Sequence, residues 1–284
     1  MKYPIQKLQE LKLRRRRRKH KRKRKRKPIP RLVVPSFFTL MNLFCGFLSI
    51  LTVAEGNLVF GAWLIVFAGL FDSLDGVVAR LTNATSPFGS ELDSLSDVVS
   101  FGVAPGFLIY SFALHELAIL GVILSSLPPL CGAVRLARFN IDAKDLSFED
   151  FRGLPIPSQA VMLVAFVLTF LNRGDLFSQL QFGVSTVLVP IIVLLSFLML
   201  STIPFDKLPR FNKLTFKYKK AKFMQFLVYL SMIIVFQEYG LMIVFSVYII
   251  KGLLIGGWLF WNEQFGDEDV MPPEDLPLRQ NRES

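Results

Sequence analysis

Histidine and cysteine are nearly missing from this chain, with two of each in 284 residues. Cys45 and Cys131 both lie inside apolar runs, so neither a disulfide framework nor a zinc site is indicated. His20 sits in a basic stretch and His115 in a short turn, which makes imidazole chemistry improbable. Carboxylates, arginines and hydroxyls remain as candidate catalytic groups. Polar sequence is also scarce. Charged residues are 19% of the chain and hydrophobic ones 52%, with 28 phenylalanines and a mean hydropathy of +0.46. That composition excludes an ordinary soluble domain, and the apolar residues come in long runs.

The net charge of +11 is not spread along the chain. Residues 12–27, KLRRRRRKHKRKRKRK, hold 14 of the 33 lysines and arginines, so the rest is slightly acidic. A run of like charges cannot build a core and reads first as a disordered, solvated tail over 1–30. Its sharper uses are attraction to anionic lipid headgroups or contact with nucleic acid. Lipid is favoured because an apolar run follows closely, and no aromatic residue interrupts the basic ones to stack on bases. A cleaved signal peptide is disfavoured by the length of the basic stretch.

At about 20 apolar residues per crossing, with shorter segments allowed, eight spans emerge. They cover 37–54, 58–80, 92–113, 117–138, 158–171, 184–203, 223–236 and 240–261. Pro105, Pro128, Pro129 and Pro190 mark expected kinks. With the basic tail held in the cytoplasm, the connections 81–91, 139–157 and 204–222 and the tail from 263 face inward. The loop 204–222 carries Lys207, Arg210, Lys213, Lys217, Lys219, Lys220 and Lys222, whereas the outer connections hold one basic residue, Arg173. The expectation is an all-α, polytopic membrane bundle of about eight helices in an inner membrane, both termini cytoplasmic.

Against this background, four aspartates fall within 26 positions: Asp72, Asp75, Asp93 and Asp97. A carboxylate in or near hydrocarbon costs a few kcal/mol on the mildest insertion scales. Asp72 and Asp75 are spaced i, i+3 near the end of span two; Asp93 and Asp97 are spaced i, i+4 at the start of span three. Each pair shares a helix face, and the short loop between makes the helices antiparallel neighbours. Four converging anions need cations between them, and oxygen-only ligands suit hard divalent ions that in turn bind phosphates. Gly76 and Ala79 leave room on the same helix, Gly89 permits a tight turn, and Arg80 offers a planar fork for phosphate oxygens.

The stretch DSLDGVVARLTNATSPFGSELDSLSD resembles the signature of the CDP-alcohol phosphatidyltransferases, D-x2-D-G-x2-A-R-x8-G-x3-D-x3-D. Asp72, Asp75, Gly76, Ala79, Arg80, Gly89, Asp93 and Asp97 fill every defined position. The resemblance implies two divalent ions, Mg²⁺ or Mn²⁺, on Asp72, Asp75 and Asp93, with Asp97 as general base and a further metal contact. It implies that CDP-diacylglycerol lies against Gly76, Arg80 and Ser86. The segment PSFFTLMNLFCGF resembles the family's opening helix and supplies Thr39 and Asn42, with Ser36 where asparagine is more usual. It also implies a six-helix core, here 31–204, followed by a basic loop and helix pair over 205–262.

Three further stretches resemble the bacterial and archaeal serine-transferring branch: SLSDVVSFGVAP at 94–105, RLARFN at 135–140 and FRGLPIPSQA at 151–160. The implied reaction moves a phosphatidyl group from CDP-diacylglycerol to L-serine. Arg135 and Arg138, three apart, are candidates for the serine carboxylate and equally for snorkelling anchors. Asn140, Ser158 and Gln159 are secondary candidates, though a helix N-cap explains Ser158 equally well. Glycerol 3-phosphate or an inositol phosphate is the alternative acceptor, and a cation-binding transporter the alternative from another class. Transporter carboxylates usually lie near the bilayer midplane, whereas these cluster at one end beside Arg80. Lys251 lies mid-span next to GLLIG, a small-xxx-small pattern for packing or for a homodimer contact.

Overall fold

The computed structural model describes residues 33–82, 86–142, 153–171, 173–177, 179–203, 205 and 220–265. The basic run 12–27, the tail from 266 and nearly all of the loop 204–222 lie outside the described residues, as do the side chains of Arg80 and of 220–230. Among the described residues every regular element is a helix. They are α1 (Val33–Ala54), α2 (Leu58–Thr82), α3 (Pro87–Asp97), α4 (Ala104–Phe112), α5 (Ala118–Asp142), α6 (Ile156–Phe170), α7 (Ser185–Leu200) and α8 (Lys220–Phe265).

Among the described residues, five stretches are long and apolar enough to cross a bilayer: Ser36–Ala54, Leu58–Ala79, Pro87–Phe112, Leu114–Ile141 and Val235–Leu259. The chain is a multi-pass membrane protein, but eight crossings are not established. Helices α6 and α7 are apolar yet only 15 and 16 residues long. Helix α8 breaks at Gln237, whose φ of 46° is not helical, where the hydropathy pattern placed a turn between two spans.

Helices α1 and α2 form a close antiparallel pair. Gly56, at φ 86°, ends α1, and Asn57 Oδ1 accepts the Phe60 N–H to start α2. Ser49 Oγ donates to the Gly61 carbonyl at 2.8 Å across the pair. The outer surface of α1 is apolar, with Phe37, Leu40, Phe44, Phe47 and Leu51 exposed, while Thr39, Asn42 and Ser49 are buried. A polar face turned inward and an apolar face turned outward is the arrangement hydrocarbon demands.

The third span begins earlier than hydropathy indicates. Ser86 N-caps α3, its Oγ accepting the Gly89 N–H at 3.0 Å, and Pro87 occupies the first turn. After Asp97 the helix widens into a π-helical segment, Val98–Val103, before α4. Pro105 follows directly on this segment inside a continuous helical run, where its missing N–H leaves a carbonyl of the preceding turn without a donor. This span packs on α5 at that helix's proline pair. Built Cβ atoms would come within 2.9 Å of Pro129 Cα at Gly102 and 2.6 Å of the Ser125 carbonyl at Gly106. That carbonyl is the acceptor Pro129 leaves without its intrahelical donor. Helix α6 is the buried centre, with every residue from Ser158 to Thr169 inside.

Candidate active site

The helix termini already described bring the aspartates together. An oxygen from each of Asp72, Asp75 and Asp93 lies within 4.8 Å of the others. Asp75 and Asp97 are buried, and Asp72 and Asp93 half-buried. Two carboxylates at this spacing repel by about 3 kcal/mol at an effective dielectric near 20. Helix α1 supplies the donors. Thr39 Oγ1 donates to Asp75 Oδ2 at 3.0 Å, and Asn42 Nδ2 donates to Asp97 Oδ1 at 3.2 Å. Asn42 orients Asp97, which lies near enough to feel the charges of the other three.

Two acceptors at this site, Asp93 Oδ1 and Asn42 Oδ1, are buried and have no hydrogen-bond donor. Buried polar oxygens are almost always paired, so the lone Asp93 oxygen within this trio fits a hard cation rather than a hydrogen-bonded core. The residues present therefore suit a divalent metal. Gly76 follows Asp75 directly and is half-buried. Ser86 lies at the head of α3, its lone pair already accepting from Gly89. Arg80 is on α2, with its side chain outside the described residues.

The serine candidates are placed differently. Arg135 is buried, and its Nε and Nη2 donate to the Leu154 and Gly153 carbonyls at 2.7 and 3.1 Å. Arg138 is exposed and donates from Nη1 to the Leu200 carbonyl at 3.1 Å. Both tie α5 to the turn before α6 and to the end of α7. That turn is tight. Gly153 adopts φ 82°, and its N–H donates to the Ile203 carbonyl at 2.8 Å. Asn140 Nδ2 donates to Glu91 and Ser94, joining α5 to α3. Ser158 is buried inside α6, whose N-cap is Pro155, so the capping role does not fall to it. Gln159 is fully buried with both amide atoms unpartnered. Next to Lys251, Gly252 and Gly256 face Phe205 and Ile203 of the same chain, so the small-xxx-small pattern serves internal packing.

Sequence reasoning missed Ser100, whose Oγ donates to the Asn42 main-chain carbonyl at 2.9 Å. It also missed Gly46, where a built Cβ would lie 2.6 Å from Ser100 Cα. Their spacings, three after Asp97 and four after Asn42, were the available signal.

Residues 32–198 match the family model for CDP-alcohol phosphatidyltransferase, more than half of the chain. The chain belongs to that family. A CDP-diacylglycerol–serine O-phosphatidyltransferase of Helicobacter pylori is 37% identical over 231 residues, covering 81% of this chain and 93% of that protein. One of the same name from Methanocaldococcus jannaschii is 39% identical over 178 residues, 63% of this chain and 76% of its own. An archaetidylserine synthase of Methanothermobacter thermautotrophicus is 44% identical over 140 residues, 49% of this chain and 59% of its own.

Proposed function

We propose that this membrane phosphatidyltransferase moves the phosphatidyl group of CDP-diacylglycerol to L-serine, giving phosphatidylserine and CMP. The observation that carries the reading is the division of labour among the aspartates. Three share one position, while Asp97 beside them accepts a hydrogen bond from Asn42. With Oδ1 of Asp97 fixed by that amide, its other oxygen takes the proton from the serine hydroxyl. The hydroxyl oxygen forms a bond to the lipid-side phosphorus as the bond to the CMP oxygen breaks. Asp72, Asp75 and Asp93 would hold Mg²⁺ or Mn²⁺, two ions, which when bound neutralise the pyrophosphate and the charge on departing CMP. Thr39 fixes one oxygen of Asp75, so the metal ligands are oriented before substrate arrives.

Relatives named for serine support that acceptor over glycerol 3-phosphate or an inositol phosphate. Gln159 is suited to it: one unpartnered amide offers a donor for a carboxylate and an acceptor for an ammonium. Arg138 and the Nη1 of Arg135 are the other candidates for the carboxylate. We place the site at the cytoplasmic face of an inner membrane, supported by the basic loop 204–222, and read the run 12–27 as attraction to anionic lipid. A homodimer stays part of the proposal, though the glycines by Lys251 do not supply its interface.

Purified protein in detergent should release CMP from CDP-diacylglycerol only with serine and Mg²⁺ or Mn²⁺ present. Release of CMP with glycerol 3-phosphate or inositol phosphate in place of serine would assign another acceptor. A chain that binds divalent cations but never releases CMP would favour the transporter.

A further inference from the structure

Ser100 belongs to the stretch SLSDVVSFGVAP, and no step of the proposed transfer uses it. It is fully buried in the π-helical segment that follows Asp97. There the Ala104 N–H donates to the Val99 carbonyl, five residues back. Single π-turns inside helices are rare and concentrate at functional sites. This one lies against α1. Its backbone approaches Gly46 so closely that a Cβ there would stand 2.6 Å from Ser100 Cα. Ser100 Oγ reaches the carbonyl of Asn42, one helical turn before Gly46. In an α-helix that carbonyl already accepts from the amide four residues on, so the hydroxyl is a second donor that backbone pairing does not require. The side chain of this same Asn42 donates to Asp97.

We propose that Ser100 and Gly46 act as a clamp that fixes Asn42 and, through its amide, the orientation of the Asp97 carboxylate. Ser100 is then a positioning residue. Gly46 lets the π-turn come close, the hydroxyl holds the Asn42 main chain, and the Asn42 side chain sets the direction in which Asp97 faces the reacting hydroxyl. The clamp rests on the reading of Asp97 as general base.

The test is steady-state kinetics of full-length Ser100→Ala, Asn42→Ala and the double variant in detergent micelles, with Mn²⁺ affinity measured by EPR titration. Misplacing a catalytic group by a fraction of an ångström to 1 Å costs up to about a hundredfold. Ser100→Ala should therefore lower kcat about tenfold to a hundredfold while the KM for CDP-diacylglycerol and the Mn²⁺ affinity stay near native. The double variant should be no slower than Asn42→Ala alone, because the hydroxyl acts through that residue. Gly46→Ala should reproduce the kcat loss; should it fail to fold, the cycle between Ser100 and Asn42 still decides. Native kcat in Ser100→Ala, losses that multiply in the double variant, or a parallel loss of Mn²⁺ affinity would each overturn the clamp. Asp97→Asn separates the two readings. If it turns over normally, the base assignment fails first; if it is inactive while Ser100→Ala is native, only the clamp fails.

Discussion

Two buried polar centres lie at the same end of the bundle and are built on opposite terms. Around α1, α2 and α3, acceptors outnumber donors, and Asp93 Oδ1 and Asn42 Oδ1 have no partner. At the turn before α6, the guanidinium and the main-chain groups pair with one another, although Gln159 in the first turn of α6 keeps both amide atoms unpartnered. Arg135 serves two carbonyls of the turn, and the Gly153 and Leu154 N–H groups serve Ile203 and Leu198. Each buried polar group left unsatisfied costs about 1–3 kcal/mol, so an unpaired carboxylate oxygen within an acidic cluster favours a cation as its partner, whereas Thr169 Oγ1 is unpaired far from any such cluster. The matched centre is held by its own hydrogen bonds. The unmatched one has the donor set that the proposed cation requires.

The comparison breaks most sharply at Asp97. Asp97→Asn keeps the shape but removes the base, so kcat should fall by about a thousandfold while CDP-diacylglycerol still binds. Near-native turnover would take Asp97 out of the mechanism. The unmatched centre should also respond to metal where the matched one does not. Saturating Mn²⁺ at about 100 times its Kd should stabilise the native protein by about 2.7 kcal/mol, read as a rise in the inactivation midpoint in detergent. Asp72→Asn should shrink that rise, and Arg138→Ala should leave it alone. An equal rise in the Asp72 variant would mean that the ion binds elsewhere.

Much of the unmatched centre was legible because its members are side chains at fixed helical offsets. Spacings of three and four put carboxylates on one face, and a short loop brings two such faces together, as Asp72, Asp75 and Asp93 do. The all-helical class and the break at Gln237 followed from hydropathy alone. The matched centre was not legible in the same way. Arg135 is answered by main-chain carbonyls 18 and 19 residues away, and a carbonyl has no residue identity for a pattern to reveal. Hydropathy also put the start of the third span at 92, when Ser86 and Pro87 begin the helix with polar turns that a hydrophobic window discounts. The π-turn leaves no trace in hydropathy, so only the spacing of three from Asp97 set Ser100 apart from other small residues.

The matched centre should fail as structure. Arg135→Ala removes two hydrogen bonds from a charged donor and strands the carbonyls of Gly153 and Leu154. The loss should be about 3 kcal/mol, seen as an earlier midpoint of thermal inactivation. The surviving folded protein should keep its serine KM. A selective rise in that KM with native stability would instead assign the guanidinium to the acceptor carboxylate. Gly153→Ala should cost at least as much, because about 1–2 kcal/mol for the left-handed backbone adds to the strain of a Cβ lying 2.6 and 2.9 Å from the Met199 and Ser201 carbonyls, which are backbone atoms. Unchanged stability in that variant would show that the turn relaxes.

Ser86 stands between the two kinds of centre, and the smallest effect predicted here decides which it joins. Its lone pair accepts the Gly89 N–H, a structural task, while its hydroxyl proton is still available for a phosphate oxygen of CDP. Ser86→Ala ends both uses and should lower stability by about 1 kcal/mol through the lost cap. Ser86→Gly separates them, because glycine at an N-cap costs only a few tenths of a kcal/mol yet carries no hydroxyl. If the proton does reach the nucleotide, Ser86→Gly should keep near-native stability and raise the KM for CDP-diacylglycerol by about threefold to tenfold, the equivalent of one ordinary hydrogen bond. The KM for serine should not move if the hydroxyl serves the nucleotide alone. A glycine variant native in both stability and CDP-diacylglycerol KM would leave Ser86 as a helix cap and nothing more.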